Sequence, residues 1–133
     1  PNALGANAAP LTARAYYLSR IIKTDCIEAF PKLSLWRIGR ALGIQKSYLK
    51  SYKDSVEGAN IRLAILNQLI SKDIAFIYSE DVKVLVNQPN VFDSFICGLT
   101  AVLKFNNQVD KRPKGFPKNE SWIEIPKTEI KWP

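Results

Sequence analysis

One stretch decides the fold: Asn90-Val91-Phe92-Asp93-Ser94-Phe95-Ile96-Cys97-Gly98-Leu99-Thr100-Ala101-Val102-Leu103-Lys104. Its apolar residues recur at helical spacing, so the stretch predicts one helix with a broad apolar face. That face comprises Phe92, Phe95, Ile96, Leu99, Val102 and Leu103. Asp93 lies on an adjacent strip near the helix start. It is either a partner for the positive end of the helix dipole or a carboxylate retained for chemistry.

Composition limits the size and class of the protein. The chain has 133 residues, which suffices for a single domain over residues 1–133 with a substantial hydrophobic core. No apolar run reaches the length that spans a bilayer, so the sequence predicts no membrane partner. Its two cysteines are typical of reduced thiols in a cytoplasmic protein rather than of a disulfide framework. The formal net charge of +7 permits a nucleic-acid partner.

The sequence contains no histidine, which excludes Ser/His/Asp and Cys/His nucleophiles and most zinc sites. Any metal would be bound by carboxylates, which favour hard cations such as Mg²⁺ or Mn²⁺. Glu28 lies in a predicted strand over residues 24–31, where it is either exposed at the strand end or a ligand at the carboxyl edge of a sheet. Paired with Asp93 it makes a two-carboxylate site. Phosphodiester cleavage by two metal ions requires three or four carboxylates, so this pair is incomplete.

A basic segment runs from Lys32 to Lys53 and contains no acid. It is predicted to form one helix from a Ser34 cap to Gly43 and a second helix over residues 45–53. Basic residues interleaved with tyrosines suit contacts with a phosphate backbone. The alternative is a solvated helical face. The candidate nucleic-acid-binding residues are Arg37, Arg40, Lys46, Lys50 and Lys53.

Local patterns predict the remaining elements. Helices are expected at residues 10–23 and after Asp54-Ser55-Val56-Glu57, which has the spacing of a capping box. Residues 74–78 fit either a strand or a helical turn. Residues 121–126 alternate as a short edge strand that ends at Pro126.

Three motifs follow one another along the chain: Ile27-Glu28-Ala29-Phe30-Pro31 with the following Leu35-Trp36-Arg37, then Asn90-Val91-Phe92-Asp93-Ser94-Phe95-Ile96-Cys97-Gly98-Leu99-Thr100-Ala101, then Trp122-Ile123-Glu124-Ile125-Pro126. In order and spacing they resemble the later part of the predicted RNase H-like nucleases catalogued as domain of unknown function 429. The resemblance implies an RNase H-like α/β fold and a nuclease site that binds Mg²⁺ or Mn²⁺. It implies Glu28 and Asp93 as catalytic, metal-binding carboxylates and Asn90 as a weaker carbonyl ligand.

The sequence departs from that family at its start. Such proteins open with a strand that bears a metal-binding Asp, and residues 1–9 supply none. We therefore expect the chain to be the C-terminal part of an RNase H-like domain that lacks its N-terminal strands, with further residues before Pro1. Sheet edges exposed by the missing strands would favour a homodimer.

Two functions of different classes are consistent with these features. The first is a divalent-metal-dependent nuclease acting on DNA or RNA as part of a longer protein, with this chain alone inactive. The second is a noncatalytic module that binds nucleic acid or protein through the basic face between Lys32 and Lys53. Loss of cleavage when both Glu28 and Asp93 are neutralised would support the first, and salt-sensitive binding would support the second.

Overall fold

The computed structural model describes residues 13–117, 119–120 and 122–132, most of which are helical. In chain order the elements are a helix at residues 13–21 (α1), β1 (Glu28–Ala29), α2 (Pro31–Ala41), α3 (Lys46–Lys50), α4 (Gly58–Ser71), α5 (Ser79–Asn87), α6 (Pro89–Phe105) and β2 (Ile123–Glu124). Within the described ranges no helix is long and apolar enough to cross a membrane.

Helix α6 is central to the packing, and its prediction from the sequence is confirmed. It begins at Pro89, whose fixed φ suits a first helical turn. It packs against α2 and α5, and α5 also packs against α4. Phe92, Ile96 and Leu103 of α6 are fully buried. Each such side chain stabilises the fold by about 1.5–3 kcal/mol relative to an exposed one, so the apolar spacing of α6 anchors a helical core.

A tight turn joins α2 to α3 and brings the two helices into contact. Gly43 in this turn has φ +81°, in the left-handed region that favours glycine. Its N–H donates to the Arg40 carbonyl at 3.0 Å. A Cβ at Gly39 would collide with the buried Leu49 side chain, so the missing side chain of Gly39 allows α3 to approach α2 closely.

Two predicted helix starts are wrong. Ser34 is buried inside α2, which begins at Pro31 because the proline ring presets the backbone of a first turn. The capping box at residues 54–57 does not form, and α4 begins at Gly58 without a side-chain cap. A Cβ at Gly58 would lie 2.8 Å from the Tyr52 carbonyl oxygen. The first residue of α4 therefore packs closely against the segment after α3.

Helix α5 has no counterpart in the sequence prediction. Residues 74–78 form neither a strand nor a helical turn and lead directly into it. Its first turn carries Glu80 and Asp81, whose negative charges favour a helix N-terminus. Leu85 is its buried anchor.

The RNase H-like α/β fold implied by the resemblance is wrong. The sheet in the described chain consists of β1 and β2, which pair in parallel with Glu28 opposite Ile123 and Ala29 opposite Glu124. Such a short pair is too small to organise a domain, and the core side chains come mainly from α2 to α6. Each edge of this sheet is two residues long, so it offers little backbone for the predicted homodimer through sheet edges.

Residues 13–21 confirm part of the helix predicted at residues 10–23, whose start lies outside the described residues. The predicted apolar face of this helix is not buried. Leu18 and Ile22 are 51% and 45% exposed, so α1 contributes little to the core.

Candidate functional site

Three cations on α2 and α3 lie exposed on adjoining helices. Arg40 is in the last turn of α2, and Lys46 and Lys50 are the first and last residues of α3. None of the three forms an ion pair with an acid in the described part of the chain. We call Arg40, Lys46 and Lys50 the basic face. Because α3 packs against α2, all three charges lie on one helix pair, and clustered like charges of this kind favour contact with anions.

The other two predicted nucleic-acid-binding residues are already paired. The Arg37 guanidinium lies 3.5 Å from an Asp110 carboxylate oxygen. The Lys53 ammonium contacts the Asp93 carboxylate. Lys53 follows the end of α3 and so does not share a helical face with Lys46 and Lys50. An anion that bound Arg37 or Lys53 would have to compete with these carboxylates. Of the five predicted nucleic-acid-binding residues, the three of the basic face are therefore the ones that are exposed and form no ion pair in the described part of the chain.

A tryptophan lies beside the basic face. The Lys46 ammonium is 5.0 Å from the centre of the Trp36 ring, a cation–π distance. Trp36 also lines a groove of about 500 Å³ that runs between α2 and the C-terminal segment. We call this the Trp36 groove; its lining residues are Leu33, Trp36, Arg37, Arg40, Thr128 and Glu129.

Asp93, the acid of the opening stretch, is bound by other residues of the chain. The Tyr52 hydroxyl donates to one carboxylate oxygen at 2.9 Å, and Lys53 contacts the other. Burial, followed by the hydrogen bond to Asp93, raises the pKa of Tyr52 well above its ordinary value. Burial and the Asp93 charge also raise the pKa of the Cys97 thiol, so this thiol is a poor nucleophile.

A buried arginine lies near this cluster. Arg62 of α4 is 4% exposed. Its Nε and Nη2 donate to the Val86 carbonyl at 2.8 and 2.6 Å, and its Nη1 donates to the Tyr52 carbonyl. Burial lowers the pKa of Arg62, and the Asp93 charge opposes that shift. The guanidinium therefore links α4, the end of α5 and the segment after α3, and its role is structural.

The structure does not bring Glu28 and Asp93 together. Glu28 pairs with Ile123, whose neighbour Glu124 accepts a 2.7 Å contact from the Lys104 ammonium. The axial rise of a helix from Asp93 to Lys104 is about 16 Å, so the two predicted catalytic carboxylates lie toward opposite ends of α6.

The predicted metal ligands have separate surroundings. Asn90 is on the exposed first turn of α6, and its backbone carbonyl accepts a hydrogen bond from the Ser94 hydroxyl at 3.0 Å. Within the described ranges, no group of three or more cysteines, aspartates and glutamates is arranged to hold a metal ion. Binding of Mg²⁺ or Mn²⁺ by Glu28, Asp93 and Asn90 stays a prediction.

Sequence reasoning missed several residues that shape this region. Gly43 was predicted as the end of the first helix, but Gly39 and Leu49 on either side of it were not predicted to be in contact; a small residue and an apolar residue flanking a turn glycine are a signal for two closely packed helices. Arg62 interrupts the apolar spacing of α4, which indicates a buried charge with backbone partners. Trp36 gave no signal by itself, because its neighbour Lys46 belongs to another helix.

No protein-family model, curated protein or solved structure matches this chain.

Proposed function

We propose that this chain binds nucleic acid through the basic face formed by Arg40, Lys46 and Lys50. The observation that carries the proposal is the difference between these three cations and Arg37 and Lys53, the other two predicted nucleic-acid-binding residues. All three are exposed and have no described acidic partner, whereas Arg37 and Lys53 in the same segment are paired with Asp110 and Asp93.

Unpaired, exposed cations on two tightly packed helices suit the phosphate backbone. Phosphates bound by lysine and arginine release condensed counterions, and this release supplies most of the sequence-independent affinity. A cation already paired with a carboxylate gains less from a phosphate, because the carboxylate must first be displaced. The proposal does not extend to cleavage, since no contact between Glu28 and Asp93 supports it; nuclease activity stays a prediction from the family resemblance.

A matched pair of variants tests the proposal. The triple variant Arg40→Gln/Lys46→Gln/Lys50→Gln removes the basic face. The control Lys23→Gln/Lys72→Gln/Lys114→Gln removes three exposed charges elsewhere, so both variants change the net charge equally. Binding of labelled oligonucleotides is measured by fluorescence anisotropy over a series of salt concentrations.

We expect the wild type and the control to bind with strong salt dependence. In the basic-face variant the slope of log affinity against log salt should fall by about 2 to 3. Equal losses in the two variants would mean that net charge alone attracts the oligonucleotide. Absence of binding by the wild type at low salt would overturn the proposal and favour a protein partner.

A further inference from the structure

The Trp36 groove extends the basic face with an aromatic surface. Leu33, Trp36, Arg37 and Arg40 recur at helical spacing, so they line one side of the groove from a single face of α2. Thr128 and Glu129 form the opposite side. The volume of about 500 Å³ is in the range of pockets that hold small ligands.

Trp36 is partly buried where it borders this groove. Its ring packs partly against the hydrophobic core, and Lys46 lies over the ring at 5.0 Å. Lys46 is not among the residues that line the groove. A partly buried aromatic side chain that borders a groove is suited to stacking a planar group.

Charges around the groove favour one path for a bound strand. Arg40 lines the groove and has no described acidic partner. Glu129, on the opposite side, repels phosphate. A strand with a base in the groove would therefore keep its phosphates on the α2 side, along Arg40 and toward Lys46 and Lys50.

From this arrangement we propose that the Trp36 groove binds one unpaired base of single-stranded nucleic acid, stacked on Trp36, with the flanking phosphates on the basic face. The inference rests on the proposed function and specifies its substrate class. In a duplex each base is paired and stacked on its neighbours, so it presents no face to Trp36. Proteins that bind single strands combine a basic path with aromatic stacking surfaces in this way.

Duplex recognition by helix insertion is the main competing outcome. The unit of α2, turn and α3 has the connection of a helix-turn-helix, whose second helix enters the major groove. Here α3 has five residues, so it rises about 7.5 Å. Its last residue, Lys50, lies little more than one turn from Lys46. The short α3 therefore offers few side chains to base edges, whereas the groove offers an aromatic contact.

Intrinsic fluorescence tests the stacking directly. In a Trp122→Phe/Trp132→Phe variant, Trp36 is the remaining tryptophan of the three in the chain. Oligothymidylate should quench its emission along the same curve that anisotropy gives for binding. A hairpin duplex of the same net charge should cause little quenching and should bind more weakly.

Substitution of Trp36 measures the contribution of the ring. Trp36→Leu should weaken binding of oligothymidylate by about 5- to 150-fold, the effect of removing one stacked base–aromatic contact. Trp36→Phe retains an aromatic face and should keep most of the wild-type affinity. If Trp36 only filled space, Phe and Leu at this position should weaken binding equally. Circular dichroism melting of each variant verifies folding.

A second measurement uses the wild-type chain and does not depend on those variants folding. Irradiation of a bound oligonucleotide that contains 5-iodouridine should cross-link the peptide containing Trp36. Equal affinity for single strand and duplex, without quenching or cross-linking of Trp36, would overturn this inference and leave the proposed function standing. Preference for the duplex would also overturn it, and absence of all binding would overturn both.

Discussion

The Tyr52 hydroxyl donates a hydrogen bond of 2.9 Å to the carboxylate of Asp93. Lys53, the next residue, contacts the other oxygen of the same carboxylate. Asp93 is one turn into α6, so these two contacts join the segment after α3 to the central helix. Asp93, which the sequence offered as a candidate catalytic carboxylate, thus links the segment after α3 to α6.

Removing the Tyr52 hydroxyl should destabilise the protein while the aromatic ring stays packed in the core. Tyr52→Phe keeps the buried ring, which packs 5.9 Å from the ring of Phe92, but it leaves Asp93 with one fewer donor. We expect the free energy of unfolding in urea to fall by about 1–2 kcal/mol. Tyr48→Phe is the control, because Tyr48 is 54% exposed and its hydroxyl can bond water. Equal effects of the two changes would contradict a specific role for the Tyr52 hydrogen bond.

Stability should decline at alkaline pH because of the same phenol. In the folded state, burial and the hydrogen bond to Asp93 raise the pKa of Tyr52, whereas a tyrosine in an unfolded chain has a pKa of about 10. The stabilising contribution is complete below that pH and is lost as pH rises further, because the unfolded chain then binds fewer protons. Urea unfolding at several pH values should show this decline in the wild type and a shallower one in Tyr52→Phe. Parallel curves would refute the assignment.

Arg62 should be among the most sensitive positions in α4. Arg62→Met removes the donors for the Val86 and Tyr52 carbonyls and leaves both poorly satisfied. We expect a loss of about 3 kcal/mol or more in the free energy of unfolding. Arg40→Met, which changes an exposed arginine, should alter it by less than about 0.5 kcal/mol. Similar melting temperatures for the two variants would show that the buried guanidinium is dispensable.

The approach of α3 to α2 depends on the missing side chain at Gly39. Gly39→Ala should destabilise the fold by about 1–3 kcal/mol through overpacking against Leu49, minus up to about 1 kcal/mol of gained helix propensity. Gly98→Ala is the matched control, since a Cβ on that helical glycine meets nothing within 4 Å. It should stabilise the fold slightly. A stabilising effect at Gly39 would mean that Leu49 moves aside easily.

A metal ion shared by Glu28 and Asp93 stays a prediction of the family resemblance, and the placement of the two residues argues against it. Mg²⁺ binds its ligands at about 2.1 Å, and the two carboxylates lie toward opposite ends of α6. If Mg²⁺ or Mn²⁺ raises the melting temperature at all, we therefore expect the rise to persist in at least one of the single variants Glu28→Gln and Asp93→Asn. A rise that disappears in each single variant would support the predicted two-carboxylate metal site. Metal-dependent cleavage that is lost in the double variant would support the predicted nuclease activity.

Local patterns in the sequence predicted the elements that depend on neighbouring residues. The apolar spacing of residues 90–104 predicted α6 and most of its buried face, because side chains three and four residues apart share one side of any helix; Val102 of the predicted face is 48% exposed. The absence of acids between Lys32 and Lys53 likewise predicted a basic surface. The strand predicted at residues 24–31 is observed only as Glu28–Ala29, because alternation along one segment does not show how much partner strand is available, and the partner here is two residues long.

What the sequence determined by itself is the central helix α6 with its apolar spacing and a segment rich in cations, whereas the helical class of the whole core was not predicted. Only the tertiary structure decided which of those cations are paired, that Trp36 borders a groove, and that Glu28 and Asp93 are far apart. The physical reason is distance along the chain. Periodicity reports contacts within one helix, whereas Arg37 meets Asp110 and Tyr52 meets Asp93 only through the packing of separate elements.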